Sequence, residues 1–213
     1  MINSLIIVGA SGFGKEVAWL AKRLKLNILG FLDDDENLSG STLYGYPVLG
    51  CISDWHHYED HVFSVAIASP RIRKKIITQM MASGNPNFHT LIDPSVQVEG
   101  EVNNIGSGTI ICAGTICTAD INIGHFSIIN KQVSVGHDVN IGDFCTIAPQ
   151  VMLGGHSIIG DGSEIGASTS IRQASVVGSG ASIGMGSVVV KNIDANSLYF
   201  GSPATKVKSL TVF

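Results

Sequence analysis

Residues 123–164 read IGHFSI INKQVS VGHDVN IGDFCT IAPQVM LGGHSI IGDGSE, seven blocks of six that each open on an aliphatic residue. The step extends well beyond this stretch. From Ile105 it runs through Ile111, Cys117, Ile123, Ile129, Val135, Ile141, Ile147, Leu153, Ile159, Ile165, Ile171, Val177 and Ile183 to Val189, fourteen aliphatic residues and one cysteine without a slip. Four positions after each, the register is small or β-branched, as at Thr109, Thr115, Ser127, Val133 and Cys145. A six-residue period of this kind marks a parallel β-helix. Each block makes one edge and turns one aliphatic side chain inward. Three edges close a triangular coil, so coils stack at about the 4.8 Å spacing of neighbouring strands. Aliphatic residues eighteen apart then form internal ladders, and the fifteen edges make five full coils.

Working back from Ile105, the texture changes at Pro94. Residues 1–95 alternate strand and helix signals. Leu5–Gly9, Ile28–Leu32 and Val62–Ala68 read as strands, Tyr46–Leu49 as a short edge strand, and Asn87–Ile92 as a last strand. Ser11–Leu24 places Val17, Ala18, Leu20, Ala21 and Leu24 on one helical face, and residues 71–83 repeat that spacing. Alternation of this kind predicts a small, Rossmann-like parallel α/β sheet. The expected organisation is therefore an α/β domain over 1–95 and an all-β helix over 96–213.

Composition narrows the class. The chain has 213 residues, 45% hydrophobic and 14% charged, which excludes intrinsic disorder. Glycine is abundant at 25 and proline sparse at 6, as expected of many tight turns in a regular β structure. A net charge of −4 does not resemble a nucleic-acid footprint. No apolar run approaches the roughly 18 residues of a membrane span. The opening Met1–Gly9 lacks a basic leader region and is expected to be a strand. Cys51, Cys112, Cys117 and Cys145 contain no CxxC pair, so neither a disulfide framework nor a metal site is expected. These features fit a reduced, cytoplasmic chain.

Gly9-Ala-Ser11-Gly12-Phe13-Gly14 follows a strand and opens a helix. Glycines let backbone approach an anion, and the helix N-terminus offers N–H groups and a positive dipole. The acids Asp33, Asp34 and Asp35 follow about twenty residues on, at the end of the second strand, where they can hold ribose hydroxyls. Together they point to a nucleotide or nucleotide-sugar site. This half is too short for a complete dinucleotide fold, which disfavours a nicotinamide dehydrogenase.

Gly9–Val17, Gly30-Phe-Leu-Asp-Asp34, Gly45-Tyr-Pro-Val-Leu-Gly50, the hexads and Gly201-Ser-Pro-Ala204 occur in this order in one group of proteins. Over nearly its whole length the chain resembles the bacterial sugar acetyltransferases of the sialic-acid O-acetyltransferase family. Some members N-acetylate nucleotide-linked 4-amino-4,6-dideoxysugars. The resemblance implies a left-handed β-helix, a homotrimer, a nucleotide sugar on the N-terminal domain and acetyl-CoA between neighbouring β-helices. It implies that His137 is the general base, with Asp138 its acidic partner and Asn130 upstream. It assigns the oxyanion donor to Gly155, and acetyl-CoA contacts to Thr146, Gly155, Ala167 and Met185. Pro203 and Lys206 fall in and beside the loop that follows CoA-binding helices, and Arg73 joins Gly9, Ser11, Gly12, Phe13, Gly14, Asp33 and Asp34 as a sugar-nucleotide candidate. Phe13 and Thr146 each replace a histidine found in relatives.

Stacking arithmetic supports the site independently. Eighteen residues after His137 lies Gly155, whose N–H can face a thioester oxygen. Eighteen before and after Asp138 lie Asp120 and His156, an expected column. Neutral imidazole suits proton removal from an amine or hydroxyl near pH 7. Adjacent residues on a strand point to opposite faces, so His137 and Asp138 can cooperate only at a coil corner. Otherwise a backbone carbonyl orients His137. The remaining histidines, His56, His57, His61, His89 and His125, read as surface or structural residues. Lys206 and Lys208 are either CoA phosphate contacts or a solvated tail. Cys117 and Cys145 point inward in the register, which argues against an acyl-enzyme. The expected reaction is transfer of acetyl from acetyl-CoA to the 4-amino group of a nucleotide-linked sugar in glycan biosynthesis. Its rivals are O-acetylation of sialic acid or a related sugar, and a non-enzymatic trimeric sugar-nucleotide binder.

Overall fold

The computed structural model describes residues 4–98 and 104–213. They divide into two compact units, one of residues 1–68 and 72–91 and the other of residues 69–71 and 92–213. The boundary read from the sequence, after residue 95, falls within the first turn of the second unit.

In the first unit β1 (Leu5–Val8) is apolar and buried at every position, as a strand covered on both faces requires. It pairs in parallel with β2 (Ile28–Leu32) and β5 (Val62–Val65). β3 (Thr42–Leu43), β4 (Tyr46–Gly50) and β6 (Asn87–Phe88) complete the order β3-β4-β2-β1-β5-β6. β4 is not an edge strand: it pairs in parallel with β2 and antiparallel with β3, which the sequence reading missed because it is only two residues long. α1 (Gly12–Arg23) buries Gly14, Val17, Ala18, Leu20 and Ala21, close to the face read from the spacing. α2 (Pro70–Ser83) follows β5, and a seven-residue 3-10 helix, Ile52–Tyr58, follows β4. The expected strand 87–92 is two short strands, β6 and β7 (Leu91–Ile92), because β7 belongs to the first coil sheet.

The second unit is a parallel β-helix of the left-handed class, built from two-residue strands in three sheets. Registers join residues eighteen apart, as in Val135 with Leu153 and Ile141 with Ile159. The aliphatic register from Ile111 to Val189 is buried throughout and forms one continuous core. The small residues four positions on are also interior. Several of their hydroxyls donate to a carbonyl of the following coil: Thr115 to Asn130, Ser127 to Gly142, and Thr169 to Gly184, at 2.8–3.2 Å. Every sixth residue from Gly108 to Gly186 takes a left-handed conformation, with φ between 54° and 74°. These are the coil corners, and nine of the fourteen carry a side chain. After the last coil Ser197–Phe200 pairs antiparallel with Thr205–Ser209. The chain then runs to Phe213, whose ring lies against the side-chain-free corner Gly162 and near Phe144, with its Cβ beside Gly180.

Candidate functional site

Two sets of residues carry chemistry, one in each unit. In the first unit Gly9 leaves β1 with φ +106°, and its N–H donates to Leu32 O at 2.8 Å. A Cβ on Gly14 would run into the Gly9 carbonyl oxygen, whereas one on Gly12 would meet nothing within 4 Å. The helix therefore opens hard against the turn while its outer side stays accessible. Ser11 gives no side-chain cap, so the first-turn N–H groups remain donors for an anion. Phe13, in that turn, is half-buried. Asp33 bonds the turn itself: Oδ2 accepts from Ala10 N–H at 2.6 Å and Oδ1 from Asp35 N–H at 2.9 Å. Asp34 accepts from Ile52 N–H at 2.9 Å. It also lines a cavity of about 490 Å³ with Ile52, Trp55, Ile76, Gln79 and Met80. Sequence reading found Asp34 but not the cavity, whose walls come from three separated stretches.

Arg73 is a correction. It is 1% exposed, and its guanidinium donates to the carbonyls of Ile67 and Ala68 at 2.6 and 2.9 Å. It fixes the loop leaving β5 from inside and is neither a solvated helical charge nor open to a ligand.

In the second unit Asp138 is a coil corner with φ +58°, which settles how neighbours in sequence can cooperate. The corner folds its carboxylate back onto His137, Nδ1 to Oδ2 at 2.7 Å. A side chain rather than a backbone carbonyl therefore orients the ring. The bond also holds Asp138 below the ordinary carboxylate range, with smaller help from the positive charge of His156 and His137. With Nδ1 engaged, Nε2 is the nitrogen left for a substrate proton. It points at Gly155: a Cβ there would lie 2.6 Å from it. Among the described residues, nothing accepts from the Gly155 N–H. The contrast is with the equivalent positions of another corner column, where Asp143 takes the His125 N–H and Asp161 takes the Asp143 N–H, at 2.7 and 2.9 Å.

His156 is the corner one coil on from Asp138, also left-handed, with Nε2 3.5 Å from Asp138 Oδ2. Its ring meets that of His137 edge to face, centroids 4.9 Å apart. Asp120 shares the corner geometry but forms no ion pair among the described residues. Among the described residues Asn130 has no bond to this group. Its Oδ1 accepts from Lys131 N–H at 2.7 Å.

The residues expected to meet the cofactor are distributed unevenly. Ala167 and Met185 stack in one column, Gly186 N–H bonding Ala167 O, and Met185 is 68% exposed. Thr146 is a second correction: it is 5% exposed and lies in a sheet different from the strand that leads into His137, so its hydroxyl is not presented at an open surface. Pro203 is exposed in the turn between the last two strands. Lys206 pairs with Asp194 at 2.9 Å, which holds the ammonium above its ordinary value. Lys208 is exposed. Cys117 and Cys145 are interior, and burial pushes the Cys117 thiol up to about 11, which removes it as a nucleophile.

Residues 4–80 match the PglD N-terminal domain family. The acetyltransferase domain of PglB from Neisseria gonorrhoeae is 31% identical, with a TM-score of 0.88 over 96% of this chain and 100% of that one. WeeI from Acinetobacter baumannii is 32% identical, with a TM-score of 0.84 over 96% and 99%. Perosamine N-acetyltransferase from Caulobacter crescentus, solved with CoA and GDP-perosamine as a variant of one histidine, is 25% identical, with a TM-score of 0.90 over 98% and 99%. No curated protein matches the chain.

Proposed function

This chain belongs to the CoA-dependent sugar N-acetyltransferases built on the hexapeptide repeat, and on that premise we propose that it acetylates the 4-amino group of a nucleotide-linked 4-amino-4,6-dideoxysugar. The observation that carries the reading is the His137 imidazole, oriented by Asp138 and aimed at Gly155. The neutral amine attacks the thioester carbonyl of acetyl-CoA while Nε2 of His137 takes its proton. The carbonyl oxygen becomes an oxyanion against the Gly155 N–H, and collapse releases the CoA thiolate, which is reprotonated. A base of this kind contributes about 10²–10⁴ in rate, and one oxyanion donor about 10²–10³. No covalent enzyme intermediate is required.

The nucleotide diphosphate fits the glycine turn Gly9–Gly14, with the base in the Asp34 cavity. Outward apolar side chains, Ile116, Met152 and Val188 on one sheet and Ile158 and Val176 on another, suit assembly of the β-helix as a homotrimer. Among the described residues no helix is long and apolar enough to cross a membrane, and a cytoplasmic location suits an enzyme that uses acetyl-CoA.

The test is CoA thiol release from acetyl-CoA against uridine-, deoxythymidine- and guanosine-linked 4-amino sugars, with sialic acids alongside. Release with one nucleotide-linked amine, reduced at least about 100-fold in His137→Ala, is the expected result. Release only with sialic acids would assign O-acetylation instead.

A further inference from the structure

We propose that His156 is a positioning residue of the transfer site, holding the Asp138 carboxylate from the neighbouring coil so that the two imidazoles share one acid and His137 remains available as the base. The proposal rests on His137 acting as the base.

A lone carboxylate 2.7 Å from an exposed imidazole favours the imidazolium. A base that must receive a proton from an incoming amine is weakened as a catalyst when it is already protonated. His156 offsets this in two ways. Its Nε2 lies 3.5 Å from the same Oδ2 that His137 holds, so the carboxylate is divided between two rings. Its ring also lies edge to face with His137, centroids 4.9 Å apart, so a positive charge on one disfavours a second on the other.

The surroundings leave few competing charges. The coil before contributes Asp120 at the same corner, and the coil after contributes Ala174 there. His137's own column holds Ala119, Gly155 and Gln173. Of the further charges along the chain, Lys131, Asp143, Asp161 and Arg172, Asp143 accepts from His125 N–H at 2.7 Å, Asp161 from Asp143 N–H at 2.9 Å, and Arg172 directs its guanidinium to Val190 O at 3.4 Å.

His156→Gln is the informative variant. Gln132 and Gln150 occupy left-handed corners with φ 58° and 62°, so glutamine fits the backbone that His156 adopts. The primary readout is the NMR titration of the His137 ring in the free protein, which needs no substrate. Loss of His156 should raise the His137 midpoint by about half a pH unit, the scale of a charge pair at this separation in largely solvated surroundings. The acid limb of the kcat/KM profile for the active nucleotide-linked amine should move up by the same amount. Repeating the change in Asp138→Asn should shrink the shift. An unchanged or lowered His137 midpoint overturns the proposal, even if thermal stability falls. Absence of acetyl transfer with a shifted midpoint would reject the enzymatic reading while leaving this coupling intact.

Discussion

Gly155 has no positive φ, so its backbone would accept any residue. What excludes a side chain there is His137, whose Nε2 would lie 2.6 Å from a Cβ. Gly155→Ala should therefore leave the fold intact and displace the imidazole from the reacting position. A loss of at least about tenfold in kcat, with the melting temperature nearly unchanged, is expected from kinetics and thermal unfolding measured together. The pairing of His137 with Asp138 came from the resemblance, whereas the strict period, which converts residue numbers into neighbours, placed Gly155 beside His137. What the sequence did not reveal was the corner itself. Left-handed φ at Asp138 is a property of every sixth residue, and aspartate, histidine, glutamine and phenylalanine all occupy such corners here. Arg73 was misread for a related reason: helical spacing identifies a face but not what covers it.

Among the elements, Arg73 reaches from α2 to the carbonyls that follow β5. Replacing it with methionine preserves bulk but leaves buried acceptors without a donor. A destabilisation of about 1–3 kcal/mol is expected in denaturant unfolding, accompanied by weaker binding of a nucleoside diphosphate. The coils offer a matched pair of substitutions. Thr169 donates its hydroxyl to Gly184 O, whereas the buried Ser157 hydroxyl has no partner among the described residues. Thr169→Val should cost about 1 kcal/mol, while Ser157→Ala should be neutral to within about 0.5 kcal/mol. Equal losses would show that interior hydroxyls act through packing alone. The β3–β4 hairpin and the split of 87–92 escaped the sequence reading because two-residue strands carry almost no periodic signal.

At the scale of the molecule, stability in the second unit comes from ladders whose members are separated by eighteen residues. Ile147 is fully buried between Ile129 and Ile165 in such a ladder. Ile147→Ala should lower unfolding free energy by about 2–5 kcal/mol, since stacked coils limit collapse around the gap. The mixed first unit was legible only in outline, through its alternation of strand and helix. Its cavity at Asp34 depends on which residues of α2 and of Ile52–Tyr58 come together, and no local pattern encodes that.

The uniform corner has another consequence. Because each coil repeats the backbone of the last, the β-helix is a ruler graduated in steps of about 4.8 Å. A functional group written at one corner has an equivalent address one graduation along. Gly155→His, His156→Asp and Gln173→Gly together would copy the imidazole, the carboxylate and the bare amide into the next coil, with their mutual geometry kept. Because a side chain at 155 meets His137 Nε2, the copy replaces the first address rather than adding a second, and the repeat so separates the chemistry of this site from its position.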